Sequence, residues 1–138
     1  MPISNIYLAI KRFLVKIKLF FLFWKNSFWK NLINKILFSS ALFLNLIIWI
    51  LPLFFWKTER YQIILHYNAY FGVDLFGDWK QTFLIAIISF IFIVINTYLS
   101  NYLYQKEEYL GSNILLLISI FIQLISLLSL ASLLVVNY

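Results

Sequence analysis

The chain has 138 residues, of which 64% are hydrophobic, 21% aromatic and only 12% charged. Soluble domains carry about 25% charged residues, so this composition excludes an ordinary soluble globular protein. The absence of cysteine excludes disulfide bonds, zinc–thiolate sites, iron–sulfur clusters and thiol catalysis. Three apolar stretches of membrane-spanning length predict an all-α integral membrane protein in which residues 1–138 form a single membrane domain.

The net charge of +6 is concentrated before the first apolar stretch. Residues 4–30 predict an amphipathic helix lying in the membrane interface, with apolar side chains on one face and basic side chains on the other. Basic residues at a membrane surface bind anionic lipid headgroups, at about 1 kcal/mol each. The predicted headgroup contacts are Lys11, Arg12, Lys16, Lys18, Lys25 and Lys30. A signal peptide is the alternative, but its apolar run would be short and no small-residue cleavage site follows. Nucleic-acid binding is disfavoured because the lysines alternate with Phe, Leu and Trp.

Three transmembrane helices are predicted at residues 36–56, 82–104 and 113–136. Pro52 falls near the end of the first span, where a kink or an early end is tolerated. The second and third spans are joined by a short polar hinge that contains Lys106, Glu107, Glu108 and Gly111. A connection this short predicts that these two helices are antiparallel neighbours.

Polar side chains form a stripe on each of these two spans, and one Asn lies in the first. The set is Asn45, Thr82, Ser89, Asn96, Ser100, Ser112, Ser119, Gln123 and Ser126. Lipid cannot hydrogen-bond these groups, so we expect them to face other helices. The stripes are interpreted as packing contacts or, alternatively, as the lining of a pore formed by several copies.

The distribution of basic residues predicts the orientation. The N-terminal segment and the hinge together carry eight Lys or Arg, whereas the loop at 57–80 carries three. Basic residues favour the cytoplasmic side. The N-terminus is therefore predicted to be cytoplasmic, and the loop and C-terminus extracytoplasmic, in a multi-pass protein of the plasma membrane.

The loop at 57–80 is rich in aromatic residues and poor in charge, which is unlike a freely solvated linker. We expect it to be ordered on the outer membrane surface, with a short strand at residues 61–67. Gly72 and Gly77 are expected to supply turns with positive φ. Asp78, followed by Gln81, predicts a capping box for the second span.

The loop also holds the only histidine of the chain, His66. With Asn68 and Asp74 it could be imagined as a metal site, but the spacing matches no metal motif, so no metal or other cofactor is expected. A His66–Asp74 acid–base pair would lack a nucleophile, since the loop contains no serine. The favoured interpretation is a structural network in which both side chains lie inside an aromatic cap.

The stretch LHYNAYFGVDLFGDW at residues 65–79 resembles a motif, LHYNxYFGxDxxGxW, of small uncharacterised bacterial three-span membrane proteins. The resemblance implies no activity, and it marks positions for a structural or interaction role. Together with the cap at Asp78, these are Leu65, His66, Tyr67, Asn68, Tyr70, Phe71, Gly72, Asp74, Gly77 and Trp79.

Three functions are compatible with these features. The first is a non-catalytic subunit or assembly factor of a larger membrane complex, which uses the loop for protein–protein interaction. The second is a homo-oligomeric channel or transporter lined by the polar stripes. The third is a membrane enzyme using His66 and Asp74. The first is favoured, since no span carries an ionisable group and no nucleophile lies beside the loop.

Overall fold

The computed structural model confirms three helices that are long and apolar enough to cross a membrane. They are α1 (Leu32–Ile50), α2 (Phe83–Gln105) and α3 (Tyr109–Asn137). An antiparallel hairpin of β1 (Ile63–Asn68) and β2 (Gly72–Gly77) lies between α1 and α2. The structure describes residues 8, 11, 27–57, 62–68, 70 and 72–137.

The predicted interfacial helix at residues 4–30 lies almost entirely outside the described residues. Its last part is described and differs from the prediction, because Ser27–Lys30 forms a 3₁₀ turn. Phe28 is fully buried there and makes an edge-to-face contact with Tyr104, with ring centroids 5.6 Å apart. Phe28 therefore packs inside the bundle, whereas an apolar side chain of the predicted interfacial helix would face lipid.

Both ends of α1 differ from the predicted span and have local causes. The helix begins at Leu32 because the side chain of Asn31 caps it, accepting from the amide of Ile33 at 2.8 Å. The α-helix ends at Ile50, just before Pro52, which has no N–H to continue the ladder. The chain continues as a 3₁₀ helix over Leu51–Lys57.

The hinge between α2 and α3 is shorter than predicted. The amide of Glu108 donates to the carbonyl of Leu103, and that of Glu107 to the carbonyl of Tyr104, which is the Schellman pattern of helix ends. Glu107 occupies the left-handed position with φ 66°. Gly111 lies inside α3, where a Cβ atom would stand 3.1 Å from Leu103 Cδ1.

The buried positions of α2 and α3 alternate at spacings of three and four residues. This spacing relates Ala86, Ser89, Ile93, Asn96 and Ser100 in α2, and Ser112, Leu116, Ser119 and Gln123 in α3, with Leu130 and Asn137 at seven-residue steps beyond. Thr97 and Asn101 are also buried, each next to a residue of the α2 series. This heptad spacing is typical of left-handed helix pairs. The turn joining α2 to α3 lies at the same end of the bundle as the start of α1, and we call this the turn end. The β-hairpin lies at the opposite end, the hairpin end.

The sequence predicted one strand in the loop, and the structure has two. The register pairs Ile63 with Gly77 and Asn68 with Gly72. Leu65 in β1 and Asp74 in β2 have no partner in the register, so each strand carries one extra residue. The two bulges compensate one another, which keeps the strands aligned while twisting them.

Candidate functional site

The base of the hairpin is fastened to the last residue of α3. The side chain of Asn137 accepts from the amide of Ile64 at 2.8 Å and donates to the carbonyl of the same residue at 2.9 Å. The side-chain amide of Asn137 therefore makes the two backbone hydrogen bonds that a neighbouring strand would otherwise make. Ile63 beside it is buried, with 2% of its surface exposed. The hairpin is therefore attached to the bundle through both backbone bonds and apolar packing.

The exit from β2 is also well defined. Asp78 caps the 3₁₀ helix Trp79–Thr82, and its Oδ1 accepts from the amide of Lys80 at 2.9 Å. The prediction of a positive φ at Gly77 is wrong, whereas Gly72 has φ +78° as predicted. At Gly77, a Cβ atom would displace the ends of the Leu65 and Gln81 side chains, which pack closely against the glycine.

His66 and Asp74 meet across the two strands. Nδ1 of the imidazole lies 2.6 Å from Oδ1 of the carboxylate. When the ring is neutral, an Nδ1–H donated to Asp74 leaves the Nε2 lone pair available. The expectation that the pair lies inside an aromatic cap is wrong, since the two side chains are 61% and 47% exposed. Among the described residues, the hairpin contacts the bundle through β1, with Ile63 buried at its base.

The rest of the hairpin exposes large side chains. Those at least half exposed are Tyr67, Tyr70, Leu75 and Phe76, which we call the tip surface. This surface extends from Tyr70 at the turn along β2 to Phe76, which pairs with Ile64 near the base. Tyr70 is 93% exposed. Leu65 and Trp79 are partly buried. Phe71 and the side chain of Asn68, both in the predicted motif, lie outside the described residues.

Among the described residues of the hairpin, the chemical groups displayed to the outside are this pair and the tip surface. Within the described ranges, no group of three or more His, Cys, Asp or Glu side chains comes together to hold a metal ion. Residues 61–79 contain no Ser, Thr or Cys. The hairpin thus offers hydrogen bonds and apolar contact.

Polar side chains of all three helices meet in the middle of the bundle, in what we call the central layer. Asn45 donates to Gln123 Oε1 and to Ser89 Oγ, each at 3.0 Å. Gln123 in turn donates to the carbonyl of Ser89 at 3.0 Å. Trp49 Nε1 donates to Asn45 Oδ1, also at 3.0 Å. These mutual bonds fix the relative heights of the helices, which is a structural role.

The other predicted stripe residues also lie within the bundle. Thr82, Asn96, Ser100, Ser112 and Ser119 are buried, and Ser126 is partly buried. Ser100 and Ser112 bond to one another at 2.8 Å. The sequence reasoning missed four buried polar residues, Asn34, Thr97, Asn101 and Asn137. Thr97 and Asn101 each directly follow a stripe residue, and that adjacency was the available signal.

The structure describes little of the predicted lipid-headgroup surface. Lys11 and Lys30 are exposed. Arg12, Lys16, Lys18 and Lys25 lie outside the described residues, so the interfacial helix stays a prediction.

No family model, curated protein or solved structure matches this chain. The resemblance at residues 65–79 therefore identifies no family. Function has to be argued from the geometry of the hairpin and the bundle.

Proposed function

We propose that this protein is a non-catalytic subunit or accessory factor of a larger membrane complex, and that its hairpin binds the partner. The main support for the proposal is the difference between the anchored base of the hairpin and its exposed tip surface. Its base is held by Asn137 and by the buried Ile63, while its tip surface is exposed. An ordered element that exposes aromatic side chains is suited to recognition.

Two physical arguments support this use of the hairpin. Fixing the base in advance lowers the conformational entropy lost on binding, which favours affinity. Tyrosine and other aromatic residues are enriched at the centres of protein interfaces, because they bury much area with few rotatable bonds. The His66–Asp74 pair adds a polar group, the imidazole Nε2, that can hydrogen-bond a partner.

The orientation belongs to the same proposal. The start of α1 and the α2–α3 turn lie at the turn end. In the sequence, seven of the eleven Lys and Arg residues come before residue 36 and one more lies in the turn. The turn end is proposed to be cytoplasmic, with the hairpin outside. Because the chain has no cysteine, Tyr70→Cys and Glu107→Cys can each be labelled in intact cells. Tyr70→Cys should react with an impermeant maleimide and Glu107→Cys should not, and the reverse pattern would contradict the orientation.

The bonding of the central layer favours a packing role over a pore. Its amide groups bond to one another between helices of a single chain. A pore lining would need these groups turned toward a water-filled space between copies.

Co-purification tests the proposal. The chain is isolated in mild detergent as the wild type, as Tyr70→Ala combined with Phe76→Ala, and as the control Tyr109→Ala. Tyr109 is 52% exposed and lies at the turn end. The wild type and the control should retain a protein partner that the hairpin variant loses. Equal recovery of every partner by all three would contradict a binding role for the hairpin.

A further inference from the structure

In the half of the bundle nearest the turn end, the described residues include buried polar atoms that have no hydrogen-bond partner. Asn96 and Thr97 in α2 are only 8% and 5% exposed. Within the described part of the chain, Asn96 Nδ2 and Thr97 Oγ1 have no hydrogen-bond partner, and neither has Oδ1 of the fully buried Asn34 in α1. The central layer, in contrast, is bonded throughout.

Such atoms are costly inside a membrane-spanning bundle. A hydroxyl or amide removed from water without a replacement bond costs several kcal/mol. A threonine in a helix can satisfy itself by bonding a carbonyl of the preceding turn, and Ser119 does so with Leu115 at 3.2 Å. Thr97 makes no such bond. In folded proteins, buried polar groups of this kind are usually satisfied by internal water.

The three atoms lie at neighbouring heights along the bundle. The bond between Asn45 and Ser89 sets a common level for α1 and α2. At 1.5 Å per residue, Thr97 lies about 12 Å from this level toward the turn end, and Asn34 about 16 Å. Asn96 is one residue nearer the centre than Thr97. An axial separation of about 4–6 Å is the distance that one or two hydrogen-bonded water molecules span.

The hydrogen-bonding capacities of the three groups are complementary. Asn96 Nδ2 donates, Asn34 Oδ1 accepts, and Thr97 Oγ1 can do both. A water molecule donates two bonds and accepts two, so it can connect all three kinds of group. A side chain from another protein is disfavoured as the occupant, because these atoms are already shielded from the exterior within one chain.

We propose that ordered water binds the unsatisfied buried groups of this half of the bundle, Asn96 and Thr97 in α2 and Asn34 in α1. The bundle then has a dry central layer and a hydrated layer nearer the turn end. This inference concerns the helices alone and is independent of the function proposed for the hairpin.

The sign of a stability change tests the proposal. If Thr97 binds water, Thr97→Val removes a bond and lowers the melting temperature of the purified protein by a few degrees, whereas Thr97→Ser keeps the hydroxyl and stays near the wild type. If the layer is dry, Thr97→Val removes an unsatisfied hydroxyl and raises the melting temperature, which would overturn the proposal. Ser119→Ala is the control for loss of a hydroxyl already bonded within its own helix.

Magnetisation transfer from water gives a direct second measurement. In bilayers, solid-state NMR should show a cross-peak between water and the side-chain amide of Asn96. The amide of Gln123 is the matched control, because its donor is bonded to Ser89. Transfer to Asn96 but not to Gln123 supports the bound water. If neither amide receives magnetisation from water, the proposal of bound water is overturned.

Discussion

Polar side chains have opposite surroundings in the two halves of this molecule. In the bundle, Asn45 is 3% exposed and bonds to side chains of both other helices. In the hairpin, the His66 side chain is 61% exposed and contacts the carboxylate of Asp74. Residues of similar polarity thus connect the helices in one region and are exposed at the surface in the other. Substitutions in the two regions should therefore have different consequences.

The largest effect is expected at the central layer. Asn45→Leu should lower the free energy of unfolding by about 2–3 kcal/mol, since it deprives Gln123 Oε1 and Trp49 Nε1 of their partner. Unfolding in detergent, followed by circular dichroism, measures it. Phe43→Leu, at a position 63% exposed, is the control. A loss no greater than that of the control would mean that the central layer does not hold the helices together.

A smaller, local effect is expected at the junction of the two regions. Asn137→Ala removes both bonds to the backbone of Ile64. Hydrogen exchange at the Ile64 amide should become about tenfold faster, corresponding to about 1.4 kcal/mol, while the amides of α2 remain protected. Ser132→Ala is a nearby control, because that hydroxyl bonds only within α3, to the Ser129 carbonyl at 2.8 Å. Unchanged exchange at Ile64 would show that the apolar base alone fixes the hairpin.

The α2–α3 turn offers a change in the stabilising direction. Glu107 has a left-handed backbone, which costs a side-chain-bearing residue about 1 kcal/mol relative to glycine. Glu107→Gly should therefore raise the free energy of unfolding by up to about that amount. Glu108→Gly, at the next residue and without a positive φ, should give no gain. Equal effects of the two variants would contradict the assignment of the left-handed position.

The smallest effect on stability is expected at the hairpin pair. His66→Ala should change the free energy of unfolding by no more than about 0.5 kcal/mol, because an exposed pair contributes little. Partner recovery should fall all the same. A destabilisation comparable to that of Asn45→Leu would instead place His66 among the structural residues and remove the distinction between the two regions.

The three spans were predictable because a long apolar run has few structures open to it other than a membrane-spanning helix. The exact ends of the helices were harder to predict. Asn31 sets the start of α1 through a side-chain cap that hydropathy does not register. The second strand was missed because two glycines and the bulge at Asp74 interrupt its alternation. The bond between Asn137 and Ile64 joins residues that are far apart in the chain, so no local sequence pattern predicts it. Thr97 is buried beside the predicted stripe because α2 packs against both other helices, which widens its buried face.

The proposed function requires that the exposed tip of the hairpin contacts a partner. A photo-crosslinking amino acid placed at Tyr70 tests this directly in living cells, with the same probe at Leu110 as the control. Both positions are highly exposed, at 93% and 74%, and they lie at opposite ends of the bundle. If the hairpin binds a partner, position 70 should give a discrete crosslinked protein and position 110 should give none. Crosslinks from position 110 alone, or none from position 70 in cells that contain the assembled protein, would contradict it.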